Sequence, residues 1–438
     1  MRALKYICLF VFFSIFLTAL CGCTPSYKSV EELMKPPYAA GEFSDIQKAF
    51  YKTAGEDTKL LTPANGEYTN SFVLFDADSD KEKEAFVFYS SNDSVAHVQV
   101  LKKADKEWKK VDDFQGYGTT VDFVKFVDMN NNGYPEIIIG WVIFDKDISK
   151  KIFSVHGYNS DSDSYQSMAN ESYTLVSAYD LDSDGKAEII SVVLNSDNDD
   201  SKSCARMYKI LRDNTFALAS ECKLDSSVTS YSGMSFENSV IYLDASIGDL
   251  QTITEIISWD RESNSIINPF IDENFGTNRK TWRRVPVPLT DINNDKKIDV
   301  PVQSFELSNS STSNIVDYDC ITWMHYSNKE LYKVKTSAVD LYGKYILHIP
   351  GTLENSVSLS YNKAEKSLTV LHNDYFGSYE IMKVYEFNIN EWDSTEEKKY
   401  TLLKQTDESV FAYALTEYGY DLGITAKYIE TNFKLINK

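Results

Sequence analysis

A chain of 438 residues with a formal net charge of −21 is poorly suited to bind nucleic acid or an anionic membrane surface through bulk charge. Its 43% hydrophobic content is enough for a real core and excludes global disorder. Twenty-nine Tyr and 24 Phe, against 18 Gly and 10 Pro, favour strands over helices.

The first elements are a leader and a tether. Arg2 and Lys5 form a basic start, and Ile7 to Leu20 is an apolar run short for a spanning helix. It ends in Leu20-Cys21-Gly22-Cys23. That ending resembles the lipobox of bacterial lipoproteins. The resemblance implies a signal peptide over 1–22 and a diacylglycerol thioether on Cys23. It further implies an extracytoplasmic protein held at the cell membrane by its N-terminal lipid. Residues 23–43, with Pro36-Pro37, read as a tether, and a short helix is expected at Ser44–Lys52. Thr62-Pro63-Ala64-Asn65-Gly66 reads as a turn.

From there, strand-like runs alternate with acidic loops. Phe72–Phe75 leads into Asp76-Ala-Asp78-Ser-Asp80-Lys-Glu-Lys-Glu84, and Ala85–Tyr89 follows. Val121–Val127 leads into Asp128-Met-Asn130-Asn-Asn132-Gly133-Tyr-Pro-Glu136, then Ile137–Trp141. Leu175–Tyr179 leads into Asp180-Leu-Asp182-Ser-Asp184-Gly185-Lys-Ala-Glu188, then Ile189–Leu194. These loops start 52 residues apart. Val285–Leu289 precedes a fourth, Asp291-Ile-Asn293-Asn-Asp295-Lys-Lys-Ile-Asp299, 111 residues beyond the third, and Val300–Gln303 follows it. Two more strand-like segments follow most loops. Four strands per unit of about 52 residues is the pattern of propeller blades. A further unit is expected between the third and fourth loops. There Val240–Asp244 and Thr252–Trp259 flank a degenerate loop containing Gly248-Asp249.

Between Cys204 and Cys222, two apolar-rich runs surround Arg212-Asp213-Asn214. A hairpin centred on Asp213 sets the two cysteines opposite each other, at the separation a disulfide needs. Two free half-buried thiols are the alternative. Beyond residue 330 the loops disappear. Strands are expected at Tyr345–Ile349, Ser356–Tyr361, Ser367–Leu371, Tyr379–Phe387 and Val410–Leu415, and a closing helix at Gly423–Ile436. The expected fold class is mainly β: a propeller of at least five four-stranded blades over 44–330, then a small α+β domain over 331–438. One or two further blades lacking loops are the alternative for that last region.

Each acidic loop offers oxygen side chains at positions 1, 3, 5 and 9. Calcium takes six to eight oxygen ligands, and Asp or Asn at alternate positions of a turn supplies them. An EF-hand is excluded, because position 12 is Val87, Ile139, Ser191 or Val302 rather than Glu, and the flanks are strands. The pattern resembles the FG-GAP and VCBS repeats of integrin-α-like propellers, over roughly residues 70–305. That resemblance implies a structural calcium in each blade loop. Its ligands would be Asp76, Asp78, Asp80 and Glu84; Asp128, Asn130, Asn132 and Glu136; Asp180, Asp182, Asp184 and Glu188; and Asp291, Asn293, Asp295 and Asp299. The third loop matches best. Lys81 and Lys296 replace the family's Gly in the first and fourth. With its lipobox, the chain resembles VCBS-repeat lipoproteins of Gram-positive anaerobes.

No HExxH, GxSxG, P-loop or Rossmann pattern is present, and the five histidines have no metal-ligand spacing. Trp282-Arg283-Arg284 could stack on a sugar or pair with an acidic partner, or serve packing. The expectation is a non-enzymatic binding or scaffold module with a surface glycan or protein ligand. A polysaccharide-acting enzyme and a purely structural envelope lipoprotein are the alternatives.

Overall fold

In the computed structural model, the described residues are 41–91, 94–145, 148–194, 203–249, 251–303, 314–390, 392 and 399–436. The leader, Cys23 and most of the tether therefore lie outside the described residues. Among the described residues, no helix is long and apolar enough to cross a membrane.

These residues form six antiparallel sheets of four to six strands. The first contains Lys59–Leu60, Phe72–Phe75, Glu84–Ser90, Ala96–Ala104 and Glu107–Gln115. The next three are simple meanders, each built from four strands consecutive in the chain. They span Thr120–Ser172, Leu175–Lys223 and Ser230–Ile267. A helix at Glu42–Ala54 packs Ile46 and Phe50 against Phe72, Val87 and Leu101 on one face of the first sheet.

The inner strands are apolar along their length because both faces of each sheet are covered. In Glu136–Asp145, Ile137, Ile139 and Trp141 face the core shared with the first sheet, including Val98 and Phe86. Ile138, between them, faces Ile189 and Tyr208 of the third sheet. The alternation repeats onward. Ile190 and Met207 meet Ile241 and Ile257 of the fourth sheet, whose Tyr242 and Ile256 meet Val300 and Tyr326 of the fifth. Each of the second to fifth sheets therefore shares one core with the sheet before it and another with the sheet after it.

The fourth sheet differs from the sequence expectation. Val240–Ile247 and Gln251–Asp260 do pair, but they are its second and third strands. The first is Ser230–Glu237, joined to Val240–Ile247 through Asn238, which has φ 51°. This short turn stands where the first three sheets carry an acidic loop, so the degenerate position is 238–239 and not Gly248-Asp249.

The C-terminal third also departs from expectation. The boundary at 330/331 falls inside a hairpin, because Ser327 pairs with Glu330. The fifth sheet runs Asp299–Gln303, Ile321–Ser327, Glu330–Val339, Tyr345–His348 and finally Phe433–Leu435. The sixth takes Ile315–Asp319 from before that hairpin and adds five strands between Val357 and Leu415. The chain thus passes from the sixth sheet to the fifth at Cys320, back to the sixth between His348 and Val357, and to the fifth again at Phe433. The expected closing helix is instead two short ones, Glu417–Asp421 and Ala426–Asn432, followed by that returning strand. Fifth and sixth sheets share one core containing Ile321, Trp323, Leu359, Val370 and Ile429.

The Cys204–Cys222 pairing is also corrected. The hairpin is centred as expected, with Ile210 opposite Phe216, but a bulge at Met207/Tyr208 shifts the register by one. Cys204 then opposes Lys223, and Cys222 opposes Ala205. One step of slip places the two thiols on opposite faces. Cys204, Cys222 and Cys320 are all free.

Candidate cation loops

Three of the acidic loops join two paired strands of a sheet; the fourth leads into Asp299–Gln303 from Val285–Leu289, which forms no strand, contrary to expectation. All four have one backbone conformation. Position 4 is left-handed in each: Ser79 φ 61°, Asn131 φ 58°, Ser183 φ 62° and Asn294 φ 64°. Position 6 is left-handed as well, at Gly133 φ 90° and Gly185 φ 86°. Lys81 (φ 76°) and Lys296 (φ 67°) adopt the same region despite their side chains. The missing glycines therefore leave the loop shape intact, at a cost of about 1–2 kcal/mol per residue held there.

The polar contacts are repeated too. The position-1 carboxylate accepts the position-6 N–H: Lys81 to Asp76 (3.1 Å), Gly133 to Asp128 (2.9 Å), Gly185 to Asp180 (3.0 Å) and Lys296 to Asp291 (2.7 Å). The position-9 carboxylate accepts the position-2 N–H. Ala77 donates to Glu84 (2.8 Å), Met129 to Glu136 (2.8 Å), Leu181 to Glu188 (2.9 Å) and Ile292 to Asp299 (3.0 Å). Position 5 accepts from the N–H of position 7, as when Lys186 donates to Asp184 (2.9 Å). Turns of this kind orient the side-chain oxygens inward.

Position 9 is buried in every loop: Glu84, Glu136, Glu188 and Asp299 are at most 3% exposed. Burial pushes Glu84, Glu136 and Glu188 up to about 7, and the backbone N–H bonds only partly oppose this. Asp299 is pushed up by the same cause. Asp76 Oδ1 and Asp299 Oδ1 are buried and find no hydrogen-bond partner. Ligand oxygens of Asp180, Asp182, Asp184 and Glu188 lie within 4.8 Å of one another, as do those of Asp76, Asp78 and Glu84. Desolvated, mutually repelling carboxylates in this arrangement fit a hard cation.

The loops line up along one edge of the sheet array. Ser79 Oγ donates to Gly133 O, and Asn131 Nδ2 donates to Gly185 O (3.0 Å). Ser183 Oγ shares a hydrogen bond with Ser239 Oγ in the short turn of the fourth sheet (3.1 Å). Ile298 N, in the fourth loop, donates to Glu237 Oε2 (2.6 Å).

Sequence reasoning missed the groups that face these loops. Lys102 reaches Asp78 (2.6 Å) and Asp163, and Lys209 reaches Asp182 while lying 3.5 Å from Glu188. Only strand register reveals this, because both lysines lie some 20 residues downstream of the loops they touch.

The other singled-out residues serve packing. Arg283, 1% exposed, donates to Asp244 (2.8 Å), Thr254 (2.9 Å) and Val287 O (2.9 Å). Trp282 donates to Gln251 (3.1 Å). His156 and His348 belong to matching buried chains. Trp141 Nε1 donates to Ser154 Oγ (2.8 Å), which contacts His156 Nε2 (2.9 Å). Trp323 Nε1 donates to Ser337 Oγ (3.0 Å), which contacts His348 Nδ1 (2.9 Å).

No family model and no curated protein matches the chain. Among solved structures, the crystal structure of Saccharomyces cerevisiae Sqt1 is similar at 8% identity and a TM-score of 0.28. The match covers 77% of this chain and 85% of that one.

Proposed function

We propose that the chain is a lipid-anchored, extracytoplasmic β-propeller acting as a non-enzymatic binding or scaffold module, with calcium stapling its blade loops. The observation that carries this reading is the recurrence of one loop geometry, with a buried ninth-position carboxylate, in four sheets of a serially packed array. The meander sheets are the blades. Cys23 carries the anchor, and a surface glycan or protein is the ligand class such a module would take. The buried Trp–Ser–His chains and the packed Arg283 support a structural use of these residues over a polysaccharide-cleaving one.

Calcium would bind through positions 1, 3, 5 and 9, and would offset the carboxylate repulsion that burial creates. A ligand binding only the folded state stabilises it by about 2.7 kcal/mol at a hundredfold excess over Kd. Calcium should therefore raise the melting temperature of the full chain, and a chelator should reverse the gain. A melting curve indifferent to both, with no calcium retained on dialysis, would reduce the loops to acidic turns.

A further inference from the structure

The four loops share a backbone but differ in the residue that faces the ninth-position carboxylate from the neighbouring strand. In the first sheet Ala85 pairs with Leu101, so Lys102 follows opposite Glu84. In the third, Ile189 pairs with Tyr208, and Lys209 follows opposite Glu188. In the second, Ile137 pairs with His156, and the next residue is Gly157. In the fifth, Asp299 pairs directly with His325.

The consequences differ by loop. Lys209 Nζ lies among the oxygens of three of the four third-loop carboxylates: bonded to Asp182, 3.5 Å from Glu188 and 3.8 Å from Asp184. Its ammonium also lies over the Trp259 ring, 5.6 Å from Nζ to the ring centre. Lys102 Nζ engages Asp78 of the first loop, with Asp163 and the Tyr158 hydroxyl (3.3 Å) fixing it from the second sheet. Beside the second loop, Gly157 instead leaves a cavity of about 420 Å³, lined by Asn130, Asn132, Glu136 and Tyr158 among others. In the fourth loop, fully buried Asp299 leaves Oδ1 without a partner, and buried His325 Nδ1 has none either.

We propose that the ammonium groups of Lys209 and Lys102 stand in the cation positions of the third and first loops as built-in counter-ions, so that calcium enters the second and fourth. This rests on the calcium reading of the loops and reverses the ranking by sequence match. An ammonium 2.6 Å from Asp78 in the first loop, or 3.5 Å from Glu188 in the third, repels a divalent cation directly and has already satisfied part of the ligands' charge. The first and third loops each carry four ligand carboxylates, more than the second and fourth, yet a lysine fills each of them.

The test is calcium titration of the full chain in detergent, reading stoichiometry and affinity by calorimetry. Lys209→Met keeps the aliphatic stem and removes the charge. It should add one calcium per chain, or tighten the corresponding site by about tenfold or more. Gly157→Lys should weaken or abolish one wild-type site, whereas Gly157→Ala should retain it. A Cβ at this position would lie 2.9 Å from Met168 Sδ, a contact that the flexible methionine side chain can move to relieve. The Gly157 pair also serves if Lys209→Met does not fold. A calcium-binding wild type whose stoichiometry and affinity are unchanged by Lys209→Met, or whose binding is unaffected by Gly157→Lys, overturns the counter-ion role while leaving the calcium reading intact. No calcium binding in wild type or any variant overturns both.

Discussion

At the scale of single residues, the loops separate what side-chain chemistry requires from what the backbone tolerates. Glycine at position 6 suits a left-handed residue, yet Lys81 and Lys296 hold the same conformation. What keeps them there is the position-1 carboxylate accepting their N–H. The strain is therefore measurable by exchange in either direction. A Cβ at Gly185 would meet nothing within 4 Å, so Gly185→Ala exposes the dihedral cost alone. It should destabilise by about 1 kcal/mol. Lys296→Gly should stabilise by a smaller amount, because glycine also loosens the unfolded chain. Urea unfolding of the two variants checks the pair of signs. The four ligand positions were legible because each is an Asp, Asn or Glu at fixed spacing. Lys102, Gly157, Lys209 and His325 were not, since their relation to the loops exists only once strands are in register.

At the scale of elements, alternation and bulges decide what sequence spacing can show. Ile137, Ile138 and Ile139 look alike in sequence, but the pleat sends them to two different cores. The Cys204–Cys222 symmetry was correct to the turn and failed at one bulge, which no composition signal marks. The paired Trp–Ser–His chains are likewise set by register, and their histidines give a pH signature. Burial holds His156 and His348 down to about 4, well below the usual value of about 6.5. Between these values the unfolded chain binds protons that the folded chain does not. Stability contributed by the neutral rings is thus complete above about pH 6.5 and lost as pH falls toward 4. Each ring can account for up to roughly 3 kcal/mol, at 1.36 kcal/mol per unit. Glu84, Glu136 and Glu188 titrate in the opposite sense when no metal is bound. The measurement is therefore a difference, the urea midpoint of wild type minus that of His156→Gln at pH 7.5 and pH 5. The difference should shrink at the lower pH. A constant difference would mean that His156 titrates normally.

At the scale of the whole molecule, each sheet leans on its neighbours, and the two ends of the chain are tied to the array in different ways. At the N-terminal end, the Glu42–Ala54 helix covers the first sheet. At the other end, the chain binds its last two sheets by crossing between them at Cys320 and at Phe433. The 52-residue period made the first three sheets readable. The C-terminal third has no period, and its pairing joins Phe433–Leu435 to Tyr345–Leu347 across nearly 90 residues, which local pattern does not reveal. This long-range closure predicts a disproportionate effect of a short truncation. Ending the chain at Gly423 removes Ile424, Ile429 and Phe433 from the core shared by the fifth and sixth sheets. At roughly 1.5–3 kcal/mol for each fully buried apolar side chain, the loss is about 5–9 kcal/mol, comparable to the whole stability of a typical domain. It also bares the backbone of Tyr345–Leu347 as an open edge available to other chains. The truncated protein should aggregate, and its fifth and sixth sheets should lose amide-exchange protection together while the second sheet stays protected. Loss of protection in the sixth sheet alone would show that Phe433–Leu435 does not hold the two sheets as one unit.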